Sequence, residues 1–383
     1  MKTSQVNLTH KNISEKDVSN IQAINPNWVT VFGHPSYFEK GDLGIQLRKL
    51  FPQAEIIGCS TAGEISTLGV FDQRLVITGV HFKTPYLKAD WCQIGGLENS
   101  KNSGKKLSGQ FKTEKLNSFF VLSQGVEVNG SDLISGLREN LPVNTVVVGG
   151  LAGDAGEFKK TYVLCNEKVG SDITAGIAFY GNHVQVGFGS VGGWEPFGPV
   201  RHVTKAKGNV LYTLDGESAL SLYKKYLGDH AKQLPASGLL FPFAILKENG
   251  DQTGLIRTIL GVDEKEGSLI FAGDIPNNSI VRLMNAKNGN LVQGALKAAE
   301  SALSSHHSNK SEDSLAILVS CVGRKLVLAD DIDDEVDAVR SVIPKGSITG
   351  FYSYGEICPF ENTVDCKLHN QTMTISYFTE SEK

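Results

Sequence analysis

Three phrases set a carboxylate directly behind a glycine: CSTAGEI (59–65), GLAGDAG (150–156) and SYGEI (353–357). Each follows a β-branched or aromatic run, so each reads as a polar turn leaving a strand. A carboxylate there has two chemistries open to it. It caps the next backbone N–H groups, or it orders the lip of a ligand pocket. Gly58, Ser60, Thr61, Glu64, Gly153, Asp154, Tyr354 and Glu356 are the expected lip residues, joined by Trp194 from GWEPFGPV (193–200). Catalytic readings are poorer. Cys59-Ser60 lacks the GxSxG elbow of a hydrolase, and a cysteine behind an apolar strand is ordinarily inert packing. VVVGGLAGDAG (146–156) lacks the Gly-Lys-Ser/Thr of a phosphate loop. ADDIDDEVD (329–337) lacks EF-hand spacing, and its charges suit a helix start instead. The chain therefore reads as a binding protein, not an enzyme.

The elements that must position these phrases occur three times. NWVTVFG (27–33) leads through an amphipathic stretch and a proline to FPQAEIIGCSTAGEI (51–65); SFFVLSQG (118–125) leads to SDLISGLRENLPVNTVVVGGLAGD (131–154); LAILVSCVG (315–323) leads to DEVDAVRSVIPKGSITGFYSYGEI (334–357). Strand, helix, proline and strand at this spacing predict βαβ units with parallel strands. Ligands in such sheets bind beyond the strands' carboxyl ends, where all three phrases lie. Between the units come alternating runs: LVITGVHF (75–82), AGIAFYGNHVQVGFGS (175–190) and TMTISYF (372–378). The Gly181-Asn182 step predicts a hairpin, residues 240–284 read as a four-run meander, and 291–306 as a helix. GWEPFGPV is expected to break regular structure and mark a domain boundary near 195–205. The fold class is α/β, with domains 27–195 and 205–380 built from repeated βαβ-like units plus antiparallel strands.

Composition bounds the partners. At 383 residues, with 40% hydrophobic and 20% charged, the chain has the make-up of a globular protein of two or three domains. A net charge of −4 with scattered lysines and arginines argues against nucleic acid and membrane surfaces. The amino end MKTSQVNLTHKNISEKD lacks the apolar core of a signal peptide, and no apolar run is long enough to span a bilayer. Six cysteines without a CxxC pair read as reduced thiols. A cytoplasmic location is the expectation.

GCSTAGEI, GGLAGD, GWEPFG, GNVLYTLDG and FYSYGEI, in that order, resemble the FIST family of intracellular sensory domains, from about residue 27 to about 378. GWEPFGP, GNVLYTLDG, LYKKYLG and HNQTMT look most like its haem-binding, nitric-oxide-sensing subgroup, known as NosP. The resemblance implies b-type haem, nitric oxide as ligand, and regulation of a separate histidine kinase or cyclic-di-GMP enzyme (a diguanylate cyclase or phosphodiesterase), with a homo-oligomer left open. Another reading of the same pocket is a non-haem module for an amino-acid-like ligand. Haem needs an axial ligand, an apolar slot and partners for its propionates; without CxxCH, covalent attachment is excluded. His10, His306 and His307 lie in polar segments and His230 behind a helix, where all four read as solvated or dipole partners. His202, in PVRHVT beside Arg201, is the first choice as iron ligand, although neighbours on an extended segment face opposite ways. His369 in HNQT and His34 in GHPSYF follow; Cys358 in GEICPF is a thiolate rival, and His81 and His183 are weaker.

Overall fold

The computed structural model describes residues 1–247, 249–250, 252–306, 313–360 and 363–381. The first repeat comprises β1 (Lys2–Leu8), α1 (Glu15–Gln22), β2 (Trp28–Gly33), α2 (Leu43–Leu50), β3 (Glu55–Ser60), β4 (Glu64–Ser66), β5 (Gly69–Phe71) and β6 (Leu75–His81). The second comprises β7 (Leu87–Gln93), α3 (Ser100–Ser108), β8 (Leu116–Ser123), α4 (Gly130–Arg138), β9 (Val146–Leu151), β10 (Val163–Cys165), β11 (Lys168–Gly170) and β12 (Ile173–Tyr180). The third opens with β13 (Val184–Val191) and is interrupted by β14 (Glu195–Lys207), β15 (Val210–Leu214), β16 (Glu217–Ser218), α5 (Ala219–Leu227), β17 (Phe243–Leu246), β18 (Gln252–Arg257), β19 (Ile259–Asp263), β20 (Ser268–Phe271) and β21 (Ile280–Asn285). It resumes with α6 (Asn288–Ser304), β22 (Leu315–Cys321), α7 (Val322–Leu328), α8 (Ile332–Val342), β23 (Ser347–Ser353), β24 (Gly355–Pro359), β25 (Cys366–His369) and β26 (Met373–Glu380).

The three expected parallel pairs form: β2 with β3, β8 with β9, and β22 with β23. In each, a glycine of the second strand faces the first strand at the same place: Val31 opposite Gly58, Val121 opposite Gly149, Leu318 opposite Gly350. A Cβ at Gly149 would collide with the Val121 carbonyl oxygen, and its φ of +147° is one L side chains rarely adopt. The β-branched runs meet a glycine because the strands approach too closely there for anything larger.

Each pair then builds a six-stranded sheet of the same order: β1-β6-β2-β3-β10-β11, β7-β12-β8-β9-β24-β25 and β13-β26-β22-β23-β4-β5. The last two strands of every sheet belong to another repeat. The hairpin that opens at Glu64 joins the third repeat's sheet, the one after Asp154 joins the first, and the one that opens at Gly355 joins the second. This cyclic exchange interlocks residues 1–191 with 314–380. Their shared core holds Trp28 against Phe179 and Phe378, both at 5.1 Å, and Phe32 against Phe351 at 4.8 Å. Such aromatic pairs add about 0.5–1.5 kcal/mol each beyond the area they bury.

The interruption at 195–285 has its own eight-stranded sheet and its own core around Tyr223, Phe243 and Phe271. Three local expectations need correction. GWEPFGPV does not end regular structure: only Gly192–Trp194 do, and Glu195 begins a 13-residue strand. Among its described residues the segment 240–284 holds five strands, because GLIRTILGV splits at Thr258 into β18 and β19. Gly181-Asn182 joins β12 and β13, which lie in different sheets, so the turn is no hairpin. Gly181 supplies the positive φ of +77° that redirects the chain.

Candidate functional site

The first strand of each repeat lies beside the hairpin donated to the neighbouring sheet, which gives three equivalent clefts. Beside β1 the cleft is filled: Gln5 Nε2 donates to the Ile348 carbonyl at 3.0 Å, Gln5 Oε1 accepts from the Thr67 N–H at 3.0 Å, and Asn7 Nδ2 donates to Ser66 Oγ at 3.0 Å. Beside β7 lies a shallow groove of about 330 Å³, bounded by Trp91 and the Cys165–Lys168 turn. Its charges are already matched, with Lys168 Nζ over the Trp91 ring at 5.0 Å and Glu167 paired to Arg48 at 2.9 Å. Beside β13 the inserted sheet forms a further wall, and the cleft becomes a cavity of about 730 Å³. That is an ordinary size for a small-molecule site.

One side of this cavity is apolar: Phe188 and Val191 of β13, Trp194, Leu255 and Ile256 of β18, and Phe360. The other side is α6, where Lys297, Glu300, Ser301 and Ser304 line the space at i, i+3, i+4 and i+7, the spacing of one helix face. Ser190 Oγ also lines it, buried and without a hydrogen-bond partner among the described residues. His369 and Thr372 complete the wall.

His369 ends β25 and is buried, with its ring edge-on to Phe360 at 5.0 Å. Its Nε2 lies 2.9 Å from the Cys358 carbonyl oxygen. A carbonyl only accepts, so Nε2 carries the proton and Nδ1 keeps a lone pair. Burial, with the positive charge of Arg257 nearby, brings the imidazole down to about 4. It is a neutral ring held in one tautomer. Behind Thr372 sits Glu356: its Oε2 accepts from Thr372 Oγ1 at 3.0 Å and its Oε1 from Ser353 Oγ at 2.7 Å. Burial pushes this carboxyl up to about 8, so it is largely the neutral acid at pH 7.

The three glycine-carboxylate phrases meet, but not as an open lip. Thr61 Oγ1 donates to Glu64 Oε1 at 2.6 Å, as Ser353 does to Glu356, with the hydroxyl three residues ahead in both cases. Glu64 Oε2 accepts the Arg74 N–H at 3.0 Å, and burial raises this carboxyl to about 7. Asp154 accepts the N–H groups of Phe158, Lys159 and Lys160 at 2.8, 2.7 and 2.7 Å, and the Tyr354 hydroxyl. Ser60 Oγ donates to the Gly153 carbonyl at 2.6 Å and accepts from the Tyr162 N–H at 2.8 Å. These carboxylates cap turns at the buried crossover where each chain segment leaves one sheet for the next. Gly58, Ser60, Thr61, Glu64, Gly153, Asp154, Tyr354 and Glu356 lie outside the cavity lining; of the expected lip, Trp194 alone reaches it.

Comparison with known proteins now gives the molecule a place. The FIST N domain matches residues 27–217 and the FIST C domain residues 219–359. The chain belongs to the FIST family. FIST domains are sensory signal-transduction modules. An uncharacterized protein of Methanocaldococcus jannaschii is 23% identical over 355 residues, covering 81% of this chain and 65% of that protein. The chain thus spans under two thirds of that relative. A solved structure, the cyanuric acid hydrolase of A. caulinodans, aligns over 78% of this chain and 99% of that one at 10% identity; its TM-score of 0.20 carries no argument.

In this FIST protein the candidate iron ligands are dispersed. His202 is exposed on β14, outside the cavity lining, and its backbone N–H donates to Asp215 at 3.0 Å. Arg201 is held to Asp215 at 3.0 Å and to the Tyr226 hydroxyl. Neither residue lines the cavity. His34 caps a short helical turn, its Nδ1 accepting from the Ser36 N–H at 3.3 Å, and burial lowers its pKa. Burial pushes the Cys358 thiol well above its usual range, which keeps it protonated and disfavours thiolate ligation. His81 bonds the Asn25 carbonyl at 2.7 Å, and His183 lies half-buried next to β13. His306, expected to be solvated, instead lies 2.6 Å from Thr379 Oγ1 and edge-on to Tyr377; His307 falls outside the described residues. Sequence reasoning ranked His369 second and missed Lys297, Glu300, Ser190 and Thr372. The polar stripe of α6 was the available signal, since 297, 300, 301 and 304 fall on one face.

Proposed function

We propose that this chain is a haem-based nitric-oxide sensor whose cavity is the space between β13, α6 and the inserted sheet, acting on a separate histidine kinase or cyclic-di-GMP enzyme. His369 carries the reading. A neutral imidazole that gives its N–H to a backbone carbonyl and keeps its second nitrogen free is the arrangement metal-bound histidines adopt. The residues fit the group: His369 would hold the iron, Lys297 at the mouth would pair with a propionate, and Val191, Trp194 and Ile256 would exclude water. Haem, when bound, would supply the iron centre that takes nitric oxide. A second reading, an amino-acid-like ligand, is favoured by Lys297 and Glu300 standing one turn apart on the cavity face, opposite charges for a carboxylate and an ammonium.

Reconstitution with haem, followed by reduction and absorption spectra with and without nitric oxide, tests both. The expected result is one haem per chain, a Soret band that moves with nitric oxide, loss of saturable haem binding in His369→Ala, and no change in His202→Ala. Absence of saturable haem binding refutes the haem reading. Calorimetric binding of a free amino acid, lost in Lys297→Ala, would then establish the other.

A further inference from the structure

The cavity exposes one unpaired piece of backbone. β13 ends its sheet and pairs with β26 on one side only. Along an antiparallel strand, the N–H and C=O groups of alternate residues point to the same edge. Phe188 marks the free edge: its N–H donates to Ser305 Oγ at 2.7 Å, and its carbonyl lies 2.9 Å from the same hydroxyl. Gly192 gives its carbonyl to Arg324 along that edge. Ser190 lies between them, so its N–H and C=O share the edge, and neither has a partner among the described residues. Its hydroxyl is buried and equally unpartnered. The edge faces the cavity, because Phe188 and Ser190 line it from β13 while Ser301, Ser304 and Ser305 line it from α6.

The first repeat shows what such a place can hold. Val31, which faces Gly58, pairs with Ile77, and Ile77 pairs with Val6. Leu318, which faces Gly350, pairs with Ile375, and Ile375 pairs with Gly189. Val6 and Gly189 are therefore equivalent, and so are Gln5 with Phe188 and Asn7 with Ser190. In the first repeat both flanking positions carry amides. The Gln5 amide accepts from the Thr67 N–H and donates to the Ile348 carbonyl, so one amide there satisfies a backbone donor and a backbone acceptor. The third repeat has no amide at either position. It presents instead a space walled by Val191, Trp194 and Leu255, with a backbone donor and acceptor side by side. A polar group left unpaired away from water is costly, and a ligand offering the matching pair recovers that cost.

We propose that the cavity takes a short peptide whose central residue adds to β13 as a further strand, its N–H to the Ser190 carbonyl and its carbonyl to the Ser190 N–H. This rests on the second reading of the cavity and narrows it, since the ligand is then an amide and not a free amino acid. In strand addition the main-chain bonds supply affinity and the pockets choose the side chains; here the wall selects an apolar one. Three extended residues span about 10 Å, within the reach of a cavity of about 730 Å³. Lys297 and Glu300 offer opposite charges to the two peptide ends.

Calorimetric titration of the full chain compares the tripeptide Ala-Leu-Ala, the same peptide methylated on its leucine nitrogen, and free leucine. The expected result is saturable binding of the tripeptide, with the methylated peptide and free leucine each at least about tenfold weaker. Ser190→Asn restores the residue type of the first repeat and should weaken the tripeptide by a similar factor. The comparison of ligands uses the parent protein, so it decides the matter even if that variant fails to fold. Equal affinity for the tripeptide and free leucine, or no effect of methylation, overturns the inference and leaves the amino-acid reading in place. Binding of none of the three overturns both. Haem uptake by the same protein without peptide binding also overturns the inference, and leaves the haem reading standing alone.

Discussion

Glu356 permits a quantitative prediction. Its carboxyl moves from an ordinary 4.5 to about 8 on folding, because burial disfavours the charged form more than Ser353 and Thr372 compensate. A folded-state value above the unfolded one means that the native protein holds the proton more tightly. Stability from this group is therefore complete below pH 4.5 and is lost as the pH rises to about 8. The interval of about 3.5 pH units at 1.36 kcal/mol each corresponds to about 5 kcal/mol. Glu356→Gln keeps the shape and the acceptor but cannot ionise. Urea unfolding of both proteins from pH 5 to 9 isolates the effect, because Glu64 and His369 titrate alike in each. Between pH 5 and about 8 the variant should gain on the parent by about 4 kcal/mol, with little further gain to pH 9. A constant difference across that range, or a parent that gains on the variant with rising pH, would refute a buried neutral acid behind Thr372.

Three further outcomes follow from the same structure. His369 should remain neutral to about pH 4, with Nε2 protonated; ring nitrogen shifts in a histidine-labelled sample check this, and an imidazolium at pH 6 would contradict it. Gly149→Ala should cost at least about 3 kcal/mol in denaturant unfolding, because it meets both the Val121 carbonyl and a positive φ, whereas Gly181→Asn, where a Cβ meets open space, should cost under about 1 kcal/mol. Arg324 and Glu335 form a fully buried pair at 2.7 Å, with Tyr352 and Ser320 on the same carboxylate. Removing either charge alone should destabilise by about 3–5 kcal/mol, and Arg324→Met with Glu335→Leu should recover much of it; equal loss in single and double variants would count against an uncompensated-charge penalty.

What the sequence disclosed and what it hid have distinct physical causes. The parallel pairs were legible because each unit is local: a β-branched strand, a helix ended by Pro52, Pro142 or Pro344, and a second strand closing on glycine. The exchange of hairpins was not, because strands as short as Glu64–Ser66 and Val163–Cys165 carry too little pattern to announce partners in a different repeat. The same limit explains the lip. Thr61 and Glu64 show the right spacing for a ligand rim and for a cap, and only the neighbouring phrase packed on top decides for the cap. His202 drew attention for its place at a junction, yet it lies exposed on β14; His369 had no louder signal than its motif, yet the hairpin carries it to the cavity. Three repeats make three equivalent clefts, and symmetry alone would leave all of them alike. Gln5 and Asn7 fill one, paired charges occupy the second, and the insertion at 195–285 roofs the third. The site therefore exists where the repetition is broken, which no reading of the repeated phrases by themselves could locate.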